Sequence, residues 1–280
     1  MRRVDPGDGF ESWREAARGL LAEGVPPGEV IWEAGPQTSL FDSPASSPGK
    51  PLRGTVPPAF LELARLVACH RDPRRWSILY RLLWRILQPD GRRLLELASD
   101  PDLAQARTME KNVRREIHKM HAFVRFRKTG EDESGRERFV AWFEPEHFIV
   151  EAAAPFFRKR FANMDWSIFT PHGCVHWLGG VAKSSPGVES DPCDDRDAME
   201  AVWRTYYRSI FNPARLKLKA MSAEMPKRYW KNLPEAELIE ELGRASGSRV
   251  DSMLATPGRV PRGLPRNAYL ESLHRLADPE

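Results

Sequence analysis

The chain has 280 residues, and its 43 Lys and Arg residues against 39 Asp and Glu residues give a net charge of +4. Hydrophobic residues make up 41% of the sequence, which is enough to bury a core and excludes wholesale disorder. The positive excess is too small to identify a partner from charge alone.

The first 57 residues predict one helix, one short strand and a linker. Apolar residues at helical spacing predict a helix from Phe10 to Glu23, and the apolar run Val30–Trp32 predicts a strand. Residues 35–57 are rich in Pro, Ser and Gly and lack apolar periodicity, which is typical of a linker. We therefore divide the chain into an N-terminal helix and strand (1–34), a linker (35–57), a core domain (58–245) and a helical or irregular tail (246–280).

Three helices are predicted to begin the core domain, each with apolar residues along one face. They cover Pro58–His70, Arg75–Leu87 and Pro101 to about Met120, and a short extra turn is predicted at Leu94–Ala98. The third helix has Asp100 as its expected N-cap, directly before a proline at the first helical position.

From Ala122 the apolar period changes to two, which predicts a strand with Phe123, Arg125 and Arg127 on one face. A polar turn separates this strand from the next. The elements predicted after it are a strand at Phe139–Phe143, a helix at Glu144–Phe161, strands at Trp166–Thr170 and Cys174–Leu178, a polar loop at Ser184–Asp197, helices at Ala198–Ile210 and Pro234–Leu242, and a basic segment at Pro213–Met225. The ββαββ order with helices before and after predicts an α+β fold: mainly helical, with a small, mostly antiparallel sheet packed against helices.

Three segments carry a resemblance to a known family: VRREIHKMHAFVRFR, WFEPEHFIVEAAAPFFRKRFANMDWSIFTPHGCVHW and YYRSIFNPARLKLKAMSAEMPKRYWKNLPEA. They are similar to a bacterial family of DNA metabolism and repair proteins, and the similarity covers residues 10–245. Some members of that family work beside a radical-SAM protein, and others are fused in front of a uracil-DNA glycosylase of the UdgX type. The resemblance implies a DNA repair or modification context, with DNA and a radical-SAM protein as partners.

We expect no glycosylase activity in this chain, because the roughly 35 residues after the similar region are too few for a glycosylase domain. We also expect no cofactor. The three cysteines, Cys69, Cys174 and Cys193, form no CxxC pair, which argues against an iron–sulfur cluster and against a disulfide framework. A reducing, cytoplasmic location fits this cysteine content, and no apolar run is long enough to predict a membrane span.

Basic residues interleaved with aromatic ones suit nucleic acid, because cationic groups neutralise phosphates and flat rings stack on exposed bases. The alternative is that these residues form solvated helix and strand faces. The candidate nucleic-acid-binding residues fall in two segments and are Arg114, Arg115, Lys119, Phe123, Arg125, Arg127, Arg208, Arg215, Lys217, Lys219 and Lys227.

Two further constellations are weaker. His172, Cys174 and His176 alternate along a predicted strand, so they could share one face and bind a metal, although ordinary strand packing is the favoured interpretation. Glu144, Glu146 and His147 could supply a general acid and base within one helical turn, although acidic residues at a helix start more often complement the helix dipole. The catalytic candidates are His118, His121, Glu146 and His176.

The leading hypothesis is a DNA-binding accessory protein, or a DNA repair or modification factor, that works with a radical-SAM partner. Two alternatives stay open: an enzyme that acts directly on a DNA base or nucleotide, and a protein–protein adaptor without nucleic-acid contact. A concave pocket with convergent titratable groups would favour the enzyme, since an accessory protein does not need one.

Overall fold

A computed structural model describes residues 1–33, 51–52, 54–131, 135–191 and 224–233, together with Ala236 and Leu238. The predicted linker (35–57) lies mostly outside these residues, and so do the predicted helix Ala198–Ile210, most of Pro213–Met225 and Pro234–Leu242, and the C-terminal tail.

The N-terminal part contains two short parallel strands and three helices. The strands β1 (Arg2–Val4) and β2 (Val30–Trp32) flank α1 (Phe10–Ala22), and α2 (Pro58–Ala68) and α3 (Arg75–Ile86) follow. A 3-10 helix at Gly91–Glu96 begins three residues before the predicted extra turn at Leu94–Ala98 and overlaps its first three residues. The three α-helices have the bounds expected from their apolar spacing to within about two residues, whereas β1 was not predicted.

Helix α4 (Pro101–Phe123) connects the two halves of the molecule. Asp100 caps its N-terminus, since the Asp100 side chain accepts the backbone N–H of Leu103 at 3.0 Å. With 23 residues the helix is about 34 Å long. The helix therefore extends beyond the predicted end at Met120.

The second half contains a five-stranded sheet in the order β3-β4-β5-β6-β7. Its strands are β3 (Arg127–Glu131), β4 (Glu137–Trp142), β5 (Asp165–Phe169), β6 (Cys174–Leu178) and β7 (Val181–Ser185). All neighbours are antiparallel except β4 and β5, which are parallel and are connected through α5 (Val150–Arg160). The fold is therefore α+β, with the mostly antiparallel sheet that the sequence predicts and an observed element order of ββαβββ.

Three sequence predictions in this half are wrong. Phe123 belongs to α4, because Met120 and Phe123 continue the buried stripe of the helix at a spacing of three, and Arg125 lies between α4 and β3, so only Arg127 is in the predicted strand. Helix α5 begins at Val150 and not at Glu144, since the backbone N–H groups of Glu146 and His147 bind a side chain of α4 instead of entering a helix. Strand β7 begins before the predicted polar loop and includes its first two residues.

Two hydrophobic clusters form the core. The first joins α1, α2, α3 and the start of α4 as far as Met109, so it includes elements on both sides of the predicted linker. The second begins on α4 at Val113 and contains the sheet, α5 and part of the segment 229–236. Helix α4 thus leaves one cluster and enters the other within a single turn. The predicted domain boundaries stay a prediction.

Candidate functional site

A cleft lies beside the part of α4 where the helix passes from the first hydrophobic cluster to the second. Its volume of about 920 Å³ is in the range of sites that hold small molecules. Four parts of the chain line it: the turn between α2 and α3, the middle of α4, the loop between β4 and α5, and residues 226–228. The lining residues are His70, Arg71, Asp72, Pro73, Asn112, Arg115, Glu116, Lys119, Glu146, His147, Pro226 and Arg228.

Glu116 is the buried acidic group of the cleft, with 3% of its surface exposed. Its carboxylate accepts the consecutive backbone N–H groups of Glu146 and His147 at 2.8 and 2.9 Å. The Tyr229 hydroxyl and the Arg228 guanidinium donate to it at 3.3 Å each. Burial raises the pKa of Glu116, while the His147 N–H and the positive charge of Arg228 act in the opposite direction. One carboxylate therefore fixes the loop after β4 and the segment around residue 229.

The loop after β4 is held at both ends. The backbone N–H of Phe143 donates to the carbonyl of Phe169 at 3.1 Å, and that of Phe148 donates to the carbonyl of Cys69 at 2.9 Å. Since Glu116 binds two N–H groups between these anchors, little of the loop backbone is left without a partner. The loop therefore presents Glu146 and His147 in a fixed arrangement.

Two histidines meet in the cleft, with the ring centroids of His70 and His147 4.4 Å apart. The Nδ1 atom of His70 accepts the backbone N–H of Asp72 at 3.1 Å, and Nδ1 of His147 accepts that of Arg71 at 3.3 Å. Burial, together with the neighbouring His147 ring, lowers the pKa of His70 to about 4. Burial and the charge of Arg71 also lower the pKa of His147. Both rings are neutral at pH 7, and each carries its proton on Nε2.

Four cationic side chains surround these groups. Arg228 pairs with Glu116 and Glu146, and Lys119 donates to the Glu224 carboxylate at 2.8 Å. Arg71 is exposed and lies 3.7 Å from Glu146, which is a loose contact, and Arg115 is exposed on α4. Arg71 and Arg115 are therefore the cations best placed to turn toward an incoming anion.

The structure separates the predicted basic group near the end of α4. Arg115 and Lys119 line the cleft, whereas Arg114 lies outside it and pairs with Glu110 at 2.9 Å. Arg125 donates to the carbonyl of Ala122 at 2.7 Å, and Arg127 pairs with Asp191 on the sheet. The group therefore does not form one continuous basic surface.

The proposed stacking role of Phe123 does not fit its position. The ring is 9% exposed and lies against Tyr229, with centroids 5.5 Å apart. Because its face is buried in the second cluster, it is not available to a base. Lys227 is exposed, with its ammonium 5.7 Å from the Trp230 ring. Arg208, Arg215, Lys217 and Lys219 lie outside the described residues.

The side chains of His172, Cys174 and His176 each contact a different group and do not converge on one point. The His172 ring lies 5.0 Å from Phe148, and Cys174 is buried with its thiol directed to the carbonyl of Thr170. The two ring nitrogens of His176 bind the hydroxyls of Ser167 and Ser185 at 2.8 and 2.9 Å. Within the part of the chain that the structure describes, no three His, Cys, Asp or Glu side chains are grouped to bind a metal ion.

Of the four catalytic candidates, the cleft contains Glu146. His121 packs against Phe156 with ring centroids 4.1 Å apart, His118 is exposed on α4, and His176 belongs to the sheet. The sequence interpretation missed Glu116 and His70. A usable signal existed for Glu116, since it occupies the apolar stripe of α4 between Val113 and Met120, where a carboxylate requires partners.

We predict that Glu116→Ala lowers the free energy of unfolding by about 3 kcal/mol, because two backbone N–H groups and Arg228 lose a buried acceptor. Glu110→Ala on the same helix is the matched control. Glu110 is 9% exposed, but among the described residues it binds only the side chains of Arg107 and Arg114, and these are about half exposed and can turn to water. Its loss should therefore cost less, about 1 kcal/mol. Urea unfolding of both variants measures the difference, and equal losses would contradict this role of Glu116.

We predict that acidification destabilises the protein through His70. Its folded pKa of about 4 lies below the ordinary value near 6.5, so the unfolded chain binds more protons between these pH values. Stability therefore falls as the pH drops through this window, by roughly 1 kcal/mol at pH 5.5. Thermal unfolding against pH should show a shallower fall in His70→Asn, whose amide oxygen can accept the Asp72 N–H. A His70→Asn profile that falls as steeply as that of the wild type would refute the assignment.

Comparison with known proteins gives a match to a family. No curated protein and no solved structure matches the chain. The sequence matches the family described as domain of unknown function DUF4130 over residues 73–235, a region that includes α3, α4, the sheet and most of the residues that line the cleft. This match covers more than half of the chain. On that ground the chain belongs to the DUF4130 family.

Proposed function

We propose that the chain is a DNA-binding repair or modification factor and that its cleft holds one nucleotide of the bound strand. The observation that carries this proposal is the convergence of four cations, two neutral histidines and a buried carboxylate in one cleft. The resemblance of three segments to DNA metabolism and repair proteins supports the choice of ligand. The position of the cleft within the family region is consistent with a shared role.

The charges of the cleft favour an anionic ligand. Asp72 accepts the Arg74 guanidinium through both carboxylate oxygens at 2.6–3.1 Å, so a residue outside the cleft neutralises its charge. The charge of Lys119 is neutralised by Glu224. Arg71, Arg115 and Arg228 then face Glu116 and Glu146, which leaves one positive charge in excess. A phosphate on Arg71 and Arg115 would neutralise that excess.

The histidines supply hydrogen bonds without adding charge. Because backbone N–H groups occupy both Nδ1 atoms, Nε2–H of each ring is a donor at neutral pH. Such donors suit the carbonyl and ring-nitrogen acceptors of a nucleobase, or a phosphate oxygen. Neighbouring donors and acceptors of fixed tautomer can distinguish one ligand from another.

We expect the double variant Arg71→Ala/Arg115→Ala to bind a single-stranded oligonucleotide more weakly and with less dependence on salt. Loss of two phosphate contacts should reduce the slope of log K against log salt by about 1.5. Fluorescence anisotropy at several NaCl concentrations gives both slopes.

The matched control is Arg18→Ala/Arg93→Ala, which removes the same charge from two exposed arginines that do not line the cleft. Its slope should stay close to that of the wild type. If both double variants lose the same slope, the binding follows net charge, and the cleft has no part in it.

An enzyme that acts on a DNA base or nucleotide is the second candidate. It is favoured by the Glu146 carboxylate beside the Nε2–H donor of His147, since the carboxylate can accept a proton from a substrate to which the histidine donates a hydrogen bond. In this case the isolated chain should turn over oligonucleotides that carry damaged or modified bases. His147→Asn, which retains an acceptor for the Arg71 N–H, should abolish that turnover without unfolding the protein.

The resemblance adds a proposed partner, a radical-SAM protein that the chain would assist. Absence of turnover by the isolated chain, together with turnover by a co-purified pair, would favour the accessory role over the enzyme. Turnover by the isolated chain at an unchanged rate in the presence of the partner would reject the accessory role.

The described helices also bear on whether the chain could span a membrane. None of the helices that the structure describes combines the length and the apolar character needed to span a bilayer.

A further inference from the structure

Phe148 directly follows His147 and is 43% exposed, although it is a large aromatic residue. We propose that Phe148 is a stacking platform for an unpaired nucleobase of the strand whose nucleotide enters the cleft. This inference rests on the proposed function and specifies it further, because it names a single-stranded or locally unstacked nucleic acid as the ligand. Three observations support it.

The first observation is that hydrogen bonds hold the backbone that carries the Phe148 ring. The N–H of Phe148 donates to the carbonyl of Cys69 at 2.9 Å, and the two preceding N–H groups bind the buried carboxylate of Glu116. A platform held in this way loses little conformational freedom when a base stacks on it. The exposure of Phe148 is therefore a property of a fixed loop.

The second observation is the set of side chains around the ring. The Arg75 guanidinium lies 5.2 Å from the Phe148 centroid and 4.3 Å from that of Trp76, and the His172 ring lies 5.0 Å away, tilted by 58°. Arg75 places a positive charge beside the platform, where the phosphate of a stacked nucleotide would benefit from it.

The third observation is that the platform adjoins the cleft. Phe148 is covalently bonded to the lining residue His147, and its N–H donates to the carbonyl of Cys69, which directly precedes the lining residue His70. We therefore assign the base on Phe148 to the nucleotide next to the one in the cleft. An intact duplex would hide the face of the base that the ring needs.

A second exposed phenylalanine offers a comparison inside the same chain. Phe156 on α5 is 42% exposed, but its ring is stacked on His121 at 4.1 Å and does not belong to the loop that lines the cleft. Its exposure is almost the same as that of Phe148, and each ring has a neighbour over one face, His121 for Phe156 and the Arg75 guanidinium for Phe148. The two residues therefore differ in their position relative to the cleft. Phe156→Ala is therefore a control for removing an exposed aromatic residue of the same size.

The experiment compares a single-stranded oligonucleotide with one of the same length that carries abasic sites. Phe148→Ala should weaken binding of the base-bearing strand by about 5- to 100-fold and leave binding of the abasic strand unchanged. Phe148→Trp should retain binding, and Phe156→Ala should leave both affinities as in the wild type. An unchanged melting temperature of Phe148→Ala establishes that the variant is folded.

The outcomes separate this inference from the function on which it rests. Equal weakening on both strands, or none on either, overturns the platform. If the wild type binds both strands with the same affinity and the Arg71→Ala/Arg115→Ala variant still lowers the salt slope, nucleic-acid binding by the cleft is supported and base stacking on Phe148 is rejected. If the wild type binds neither strand, both proposals fail together.

Discussion

The buried carboxylate of Glu116 is the interaction on which the candidate site depends. A carboxylate with 3% exposure is costly to place in a protein unless several donors surround it, and here two backbone N–H groups, a hydroxyl and a guanidinium do so. These donors come from two separate parts of the chain. The orientation of the loop after β4, and with it the positions of Glu146, His147 and Phe148, follows from satisfying this one group.

The position of the cleft follows from α4. Helix α4 belongs to one hydrophobic cluster as far as Met109 and to the other from Val113, and polar side chains lie at the boundary between them. Asn112 and Arg115 lie at this boundary, and the α2–α3 turn and the loop after β4 approach it from the two sides. The site therefore occupies the join between two cores. Ligand sites commonly occur at such boundaries between packed units.

Much of the fold could be predicted from the sequence, because its helices and central strands have clear periodicity. The bounds of α2 and α3 follow from apolar residues at a spacing of three and four. The end of α4 could not be predicted in the same way, since Phe123 satisfies both the helical and the alternating pattern. Only the burial of Phe123 against Tyr229, more than 100 residues later, decides between them.

The candidate site was predicted less well for a related physical reason. Glu146 and His147 could be suggested from local spacing, but His70 and Glu116 become partners of that pair only through tertiary contacts across 77 and 31 positions of the sequence, respectively. The metal candidates His172, Cys174 and His176 follow from alternation along a strand. Alternation does not reveal that Ser167 and Ser185 bind both ring nitrogens of His176. Local pattern identifies elements, whereas a site assembled from four distant segments requires their packing.

The contact between Glu116 and Tyr229 joins residues 113 positions apart, and it has a consequence for the protein while it is being synthesised. At about 5–20 residues per second, Tyr229 leaves the ribosome roughly 6 to 20 s after Glu116. During this interval the helices of the first cluster can already pack, because that cluster ends at Met109. The Glu116 carboxylate can bind the N–H groups of Glu146 and His147 before the Tyr229 hydroxyl and the Arg228 guanidinium have been synthesised. In a nascent chain the N-terminal core can therefore form well before the residues that complete the cleft, Pro226 and Arg228, have been synthesised.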